Sequence, residues 1–471
     1  VARVVRLPMP PAMLLTILLT TLLLFAAYLV APDVVMLPMV LCLGVMVMLI
    51  AFTNTELTLY LVIMSTLLSP EIGIGGGSSE AGTTSSRGVT IRVDDILLTL
   101  VCLTWLFRMA VSKQLNLLRS TPINQPILWY WGASVLATTI GFYAGYVKSV
   151  YGFFFVLKYL EYFVMFYVIV NDIQDRATLR RYVTVLMFTC FVVSLVGWSQ
   201  IASGDRVSAP FEGREGEPNT FGGYLVLLFA VALGMFFEDM DQKAKTRWLI
   251  MLGIILPPLA FTQSRSSYLA FIVVITCFII YSSQKKVLIA CCALGIVLAP
   301  FIAPKAVVDR IMFTFTQKQE EGQIAVGSMH VDTSTSDRLN QWKSALTVIF
   351  PNHPIIGRGV TGVGFMDAQY ARVLAETGLI GLFAFLWLIS RMLQVFKEGS
   401  RELEDGRLRG VALGGLCGLW GLLVHALGSN TFIIVRIMEP LMILLGLVMA
   451  ALLIQRREKE SIAKPLESAC S

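Results

Sequence analysis

Charge is what this sequence has least of: only 14 % of its 471 residues are Asp, Glu, Lys or Arg, against 56 % that are hydrophobic. A soluble domain carries roughly 25 % charged residues. With a mean hydropathy of +0.74, this chain holds more apolar surface than a water-soluble fold of its length can hide. A soluble globular enzyme is excluded. Strict alternation of apolar and polar residues is also missing, because the apolar runs are continuous, and this excludes a transmembrane β-barrel. Histidine is nearly absent: His330, His353 and His425 have no ligand spacing, so neither a metal site nor a cofactor is expected. No cysteine pattern exists either. Cys42, Cys102, Cys190, Cys277, Cys291, Cys292 and Cys417 lie in apolar runs, Cys470 is in the tail, and none forms CxxC, so no disulfide framework is implied. The net charge of +6 forms no basic stripe, and nucleic acid is not an expected partner.

What remains is an all-α polytopic membrane protein. Apolar segments near residues 12–31, 34–52, 56–69, 94–112, 127–145, 151–170, 181–202, 219–237, 247–262, 267–281, 287–303, 372–395, 410–427 and 438–454 make 12–14 spans. The short third segment and the close pair around Ser264 and Arg265 set the lower figure; that pair reads as two spans or a re-entrant hairpin. With a cytoplasmic N-terminus, Arg3, Arg6, Arg108, Lys113, Arg119, Arg176, Arg180, Arg181, Lys243, Lys245, Arg247, Lys285, Lys286, the run from Arg391 to Arg409, Arg456 and Arg457 share one side. The opposite loops are poor in basic residues, as the positive-inside rule requires, and both termini are then cytoplasmic. The first span is expected to be retained rather than cleaved as a signal peptide.

Four regions follow: N-terminal spans over 1–203, central spans with Arg-bearing outer loops over 204–303, a large outer loop over 304–371, and C-terminal spans with a cytoplasmic tail over 372–471. In the large loop, Leu339, Trp342, Leu346 and Ile349 recur at helical spacing from Ser336 to Phe350, with Ser336 or Asp337 as N-cap and Pro351 and Pro354 as stops. Gly357, Gly359, Gly362 and Gly364 then read as an adaptable turn region, and 317–335 as polar and mobile. The Gly/Ser-rich 69–88 stretch reads as a flexible linker.

Because cations are scarce outside, the arginines expected there need a reason: Arg206, Arg214, Arg265, Arg310, Arg338, Arg358, Arg372 and Arg436. Arg265 sits between two apolar segments, where a lone guanidinium costs several kcal/mol unless it meets an anion or water, and Ser264, Ser266 and Ser267 add hydroxyls beside it. Arg214 precedes Pro218 and Asn219, which open a span and leave free backbone N–H groups; pairing with Glu212, Glu215 or Glu217 is its bland alternative. Arg338 and Lys343 lie on the amphipathic helix, where a solvated face explains them as well. Together such arginines suit a diphosphate on a lipid carrier, which they can clamp without a metal. Lys158 and Glu161 read as an intramembrane pair, and Asp94–Asp95 as a helix start.

The order of features resembles the O-antigen ligase and O-antigen (exopolysaccharide) polymerase superfamily of bacterial inner-membrane proteins. FEGREGEPNTFGGYL precedes a span, TQSRSSYLA joins two spans, and the long loop carries SDRLNQWKSALTVIFPNHPIIGRGV and ends in DAQYARVLAETGLIGLFAFLW. The resemblance covers roughly residues 205–395 and implies a GT-C-like, metal-independent, inverting glycosyltransferase. Its donor would be an undecaprenyl-diphosphate-linked oligosaccharide and its acceptor a glycan or lipid-linked sugar. The site would face the periplasm, with other glycan-assembly proteins as partners. By motif, Arg214 and Arg265 would hold the diphosphate as catalytic residues, with Arg338, Arg358, Arg372, Asn219, Trp342, Tyr370, Glu376 and His353 binding substrate. Ligases of this family place a His at the loop-to-span junction to activate the acceptor. This chain has Asp367 there and His353 upstream, which leans toward a polymerase, with a ligase as the alternative. A transporter of an anionic solute is the reading from a different class, disfavoured by the lack of an internal repeat.

Overall fold

A computed structural model describes residues 55–69, 71–74, 89–111, 119–204, 206–211, 216–302 and 332–470, with short pieces between 303 and 331. Every expected apolar segment from residue 56 onward falls on a helix: α1 Thr55–Leu68, α2 Val93–Val111, α3 Asn124–Tyr143, α4 Tyr151–Asp172, α5 Arg176–Ser203, α6 Pro218–Glu238, α7 Gln242–Phe261, α8 Arg265–Tyr281 and α9 Lys285–Ile302. After the long loop, which holds α10 Thr333–Ser344, come α11 Gln369–Glu402, α12 Gly406–His425 and α13 Val435–Cys470. Among the described residues, seven of these helices are long and apolar enough to cross a membrane, namely α4 to α7 and α11 to α13. The expected segments at 12–31 and 34–52 lie outside the described residues, as does most of the 69–88 stretch, whose flanks form a hairpin of β1 Glu71–Ile74 and β2 Val89–Arg92. The protein is an all-α polytopic membrane protein.

Helix starts are set by short side chains that satisfy orphan N–H groups. Asp175 accepts from the Thr178 N–H at 2.7 Å to open α5, and Asp405 accepts from Arg407 and Leu408 N–H at 3.0 and 3.3 Å to open α12. Pro218 occupies the first turn of α6, where its missing N–H costs nothing. α6 is buried from Thr220 to Met235 and lies at the centre of the bundle. Its closest neighbour is α12, and the sequence shows why. Gly410, Gly414 and Gly418 recur at four-residue steps, and a Cβ on Gly414 would lie 2.4 Å from Val231 Cα. Small residues in this pattern let membrane helices touch backbone to backbone.

Alternating helix directions give the bundle two ends, one with short turns and one with the long loop. At the loop end, Lys158 departs from expectation: its Nζ pairs with Asp95 Oδ2 at 2.8 Å across α2 and α4, rather than with Glu161 on its own helix. Asp95 also accepts from the Arg92 N–H at 2.9 Å, the reciprocal half of a capping box that starts α2. One carboxylate thus opens a helix and neutralises an intramembrane lysine.

Candidate active site

The long loop is seated on the bundle by its helix. α10 begins at Thr333, with Asp332 in the N-cap position, so it starts three residues before the expected Ser336–Phe350 helix and continues past Ser344 as a π-turn over Ala345–Ile349. The shift has a physical cause. Asp332 is drawn out by Arg265, whose two terminal nitrogens donate to its two carboxylate oxygens at 2.7 and 2.6 Å, and Thr335 Oγ1 donates to Asp332 Oδ1 at 2.7 Å. This fork is nearly shut off from water: the Arg265 side chain is 17 % exposed and that of Asp332 2 %.

Arg265 is the first residue of α8 because Ser264 caps that helix. Ser264 Oγ accepts from the Ser267 N–H at 3.3 Å and from Ser267 Oγ at 2.9 Å, and donates to Asn219 Oδ1 at 2.7 Å. The α7–α8 connection is therefore a tight turn, and it ties the N-terminus of α8 to that of α6. Gly222 makes this approach possible, since a Cβ there would meet Ser267 Oγ at 2.2 Å. Arg338 arrives from α10 close to Ser266 of the same helix start: a Cβ on Gly428 would lie 3.1 Å from Ser266 Oγ and 3.4 Å from Arg338 Cδ, so Gly428 sits between the two. Trp342, one turn on, points its indole N–H at the Leu427 carbonyl at 3.5 Å and packs against the small buried cluster of Ala345, Ile349, Met366, Ala368, Ala371 and Ala375. Gln341 accepts from the Asp367 N–H at 2.8 Å, which places Asp367 under α10. The N-termini of α6, α8 and α10 meet here, and each favours negative charge.

The expected residues divide into groups. Arg265, Asn219, Arg338, Trp342 and Asp367 are gathered by the contacts just given. Tyr370 gives its hydroxyl to the Leu423 carbonyl at 2.7 Å. Arg372 and Glu376 are buried and paired with each other, Nε to Oε1 at 3.0 Å, and Glu376 Oε1 also accepts from the Thr361 N–H at 3.0 Å. Arg358 and His353 form a separate group around Tyr146. Of the outer arginines, Arg206 donates to the Thr262 and Gln263 carbonyls at the end of α7, at 2.8 and 3.2 Å. Arg214 and Arg310 lie outside the described residues.

The glycine run after Pro354, a strap over residues 355–364, is not adaptable. Arg358 N–H donates to the Ala375 carbonyl at 3.0 Å, Gly359 N–H to that of Glu376 at 2.8 Å, and Val360 N–H to Thr138 Oγ1 at 3.2 Å, so both α3 and α11 hold it. α11 meets it with a break at Gly378 (φ 63°, ψ −161°), where the N–H groups of Leu379 and Ile380 turn to the Pro354 and Ile355 carbonyls. Non-helical backbone at this depth persists because such partners replace the helical ones.

Two neighbours of the site escaped the sequence reading. Asp332 is one, hidden in a polar stretch, although Asp-Thr-Ser-Thr is an ordinary helix-start signal. The other is His425, last residue of α12 and fully buried, with Nδ1 2.8 Å from Thr431 Oγ1 and its ring against Gly223. Among the described residues Nε2 has no hydrogen-bond partner. The signal available for it was an ionisable residue ending an apolar span, which calls for a functional reason by default.

Fold and site together define a multi-pass α-helical membrane protein whose long loop closes over a cationic helix-terminus cluster. Residues 248–386 match the family model described as O-antigen ligase, which supports the resemblance to the O-antigen ligase/polymerase superfamily. The match covers less than a third of the chain but runs from α7 through the long loop into α11, and so takes in Arg265, Asp332, Arg338, Arg358 and Asp367. At the level of the family it supports glycan transfer of the ligase/polymerase type by a membrane glycosyltransferase, with a lipid bilayer and a lipid-linked glycan as its setting. No curated protein matched the chain.

Proposed function

We propose that the protein is a polysaccharide polymerase of the bacterial inner membrane, with both termini cytoplasmic and the long-loop end in the periplasm. It transfers a glycan, with inversion and without a metal, from undecaprenyl diphosphate to a sugar hydroxyl. The observation that carries this reading is that two arginines from different elements come to the N-terminus of α8, Arg265 as its first residue and Arg338 from the long loop, beside Ser266. A lipid-linked diphosphate presents several oxygens at membrane level, and two arginines beside three helix N-termini neutralise it as it leaves. In the state described, Asp332 occupies the fork of Arg265; a phosphate that takes its place releases α10 and opens the loop to the acceptor. Arg214, four residues before Pro218 in the sequence, is assigned to the same diphosphate by its motif alone. Asp367, at the seat of α10, accepts the acceptor proton; no general acid is required, since the neutralised diphosphate is a good leaving group.

Purified protein mixed with a lipid-diphosphate oligosaccharide tests the reading. Longer lipid-linked chains are expected from the wild type and none from Arg265→Ala at equal membrane insertion. Wild-type polymer from Arg265→Ala overturns it. Transfer only when a lipid A core is supplied points to a ligase instead, and unchanged glycans in a protein that moves them across vesicles point to a transporter.

A further inference from the structure

Outside the Arg265 cluster, the loop end carries a second built group that the transfer step does not use. Arg358 holds its guanidinium carbon 5.1 Å from the centre of the Tyr146 ring, and His353 meets the same ring edge-on at 4.9 Å. Among the described residues, no hydrogen bond or ion pair reaches the Arg358 guanidinium, and its Nε is nonetheless shielded from water. The Tyr146 hydroxyl and the His353 ring nitrogens also have no hydrogen-bond partner there. Glu376 of α11, whose carbonyl takes the Gly359 N–H, has its carboxylate committed to Arg372 and the Thr361 N–H. A cation–π contact satisfies part of the charge but leaves the N–H groups their bonding capacity.

The group is rigid. Gly359 (φ 89°) carries the strap where a Cβ would strike the Ala137 carbonyl at 2.9 Å, and Gly141 on α3 makes room for the Arg358 carbonyl, which a Cβ there would meet at 2.1 Å. Thr361 adopts φ 68° without being glycine. Such a conformation is strained for a side chain with a Cβ and persists where the surroundings fix it. Tyr146 is 37 % exposed, and Tyr143 beside it is 85 % exposed.

We infer that Arg358, Tyr146 and His353 form a saccharide subsite for a carboxylated sugar ring of the glycan being extended, an assignment that rests on the glycan-transfer reading for its substrate. The guanidinium takes the carboxylate, the part of the Tyr146 ring left exposed beside Arg358 and His353 takes the apolar face of the pyranose, and the phenol and imidazole take ring hydroxyls. A lipid phosphate offers a similar anion but no ring hydroxyls and no apolar ring face.

The test is equilibrium binding of a glucuronate-containing tetrasaccharide and of its carboxyl-reduced form to the full protein in phosphatidylcholine nanodiscs, with no donor present. The acidic sugar should bind about tenfold more tightly than the reduced one, and Arg358→Gln should remove that difference while Arg358→Lys keeps part of it. Tyr146→Ala should weaken both sugars. Equal affinity for the two sugars, no binding of either, or full discrimination by Arg358→Gln overturns the inference. So does an outcome in which Arg358→Gln alters only the retention of anionic lipid. Binding without donor and transfer by Arg265 variants are separate readouts, so either reading can fail alone.

Discussion

The two ends of the bundle handle charge in opposite ways. At the short-turn end, cations are numerous and matched between helices. Arg180 meets Asp405 at 2.6 Å, Arg409 meets Glu238 at 2.6 Å, Arg181 meets Glu56 at 2.7 Å, Lys459 meets Glu404 at 2.9 Å, and Arg176 meets Glu458. The cationic side chains there are between 32 % and 61 % exposed, so solvent screens each pair and it serves mainly to fix helix register. At the long-loop end charges are fewer and mostly buried. They are bound in networks that reach the loop, as Arg265 and Asp332 show, or stacked on a ring, as Arg358 is. Burying a charge is expensive, and the end that accepts the expense is the end where chemistry is proposed.

The sharpest way to break this comparison is at Arg265. Arg265→Ala strands the Asp332 carboxylate, 2 % exposed, without its fork. Glycan transfer should fall at least about 100-fold, the scale for removing one preorganised group that stabilises developing negative charge. Arg265→Lys should recover little, because a single ammonium cannot make the bidentate contact. Arg265→Ala with Asp332→Ala should restore thermal stability but not transfer. Recovery of both in the double variant would reduce Arg265 to an anchor for α10.

Next in size is the buried pair under the strap. Glu376→Ala leaves Arg372 charged and 8 % exposed and removes the acceptor of the Thr361 N–H, so a loss of about 3–5 kcal/mol is expected in thermal or denaturant unfolding in detergent. Glu238→Ala, at the short-turn end, removes the partner of a half-exposed Arg409 and should cost no more than about 1 kcal/mol. Equal losses at the two positions would dissolve the contrast between the ends.

Much of this was legible beforehand, for reasons that differ by residue. The spans could be read because continuous apolar runs have one physical use, and helices follow each run from residue 56 onward. Arg265 stood out because a rare cation in an apolar context demands a partner, whereas Arg338, on an amphipathic helix, was equally well explained by a solvated face. Which partner was not legible. Asp332 lies 67 residues from Arg265, and only the fold closes that distance. Lys158 misled for the same reason, since helical spacing offered Glu161 while packing supplied Asp95. The glycines after Pro354 read as freedom. They serve instead to remove Cβ atoms where strap and helices touch, which no local rule distinguishes from flexibility.

The smallest expected effect probes the short-turn end by pH. Asp239, in the connection between α6 and α7, is buried, and that burial opposes its charge. The Asp241 N–H, the Trp248 indole and Arg407 outweigh it and hold its carboxyl below the usual carboxylate range. A group depressed on folding contributes stability that is present above its unfolded pKa and is lost as pH falls through its folded one. Wild-type protein in detergent should therefore lose part of its melting temperature below about pH 4, and Asp239→Asn should lose that part at neutral pH and show a flatter acid limb. Because Arg407 meets Asp239 at 3.3 Å and is 23 % exposed, the shift should be modest and should shrink further in high salt. A melting curve whose acid limb is unchanged in Asp239→Asn would place the acid sensitivity at the other end of the bundle, among the buried carboxylates around Lys158 and Arg265.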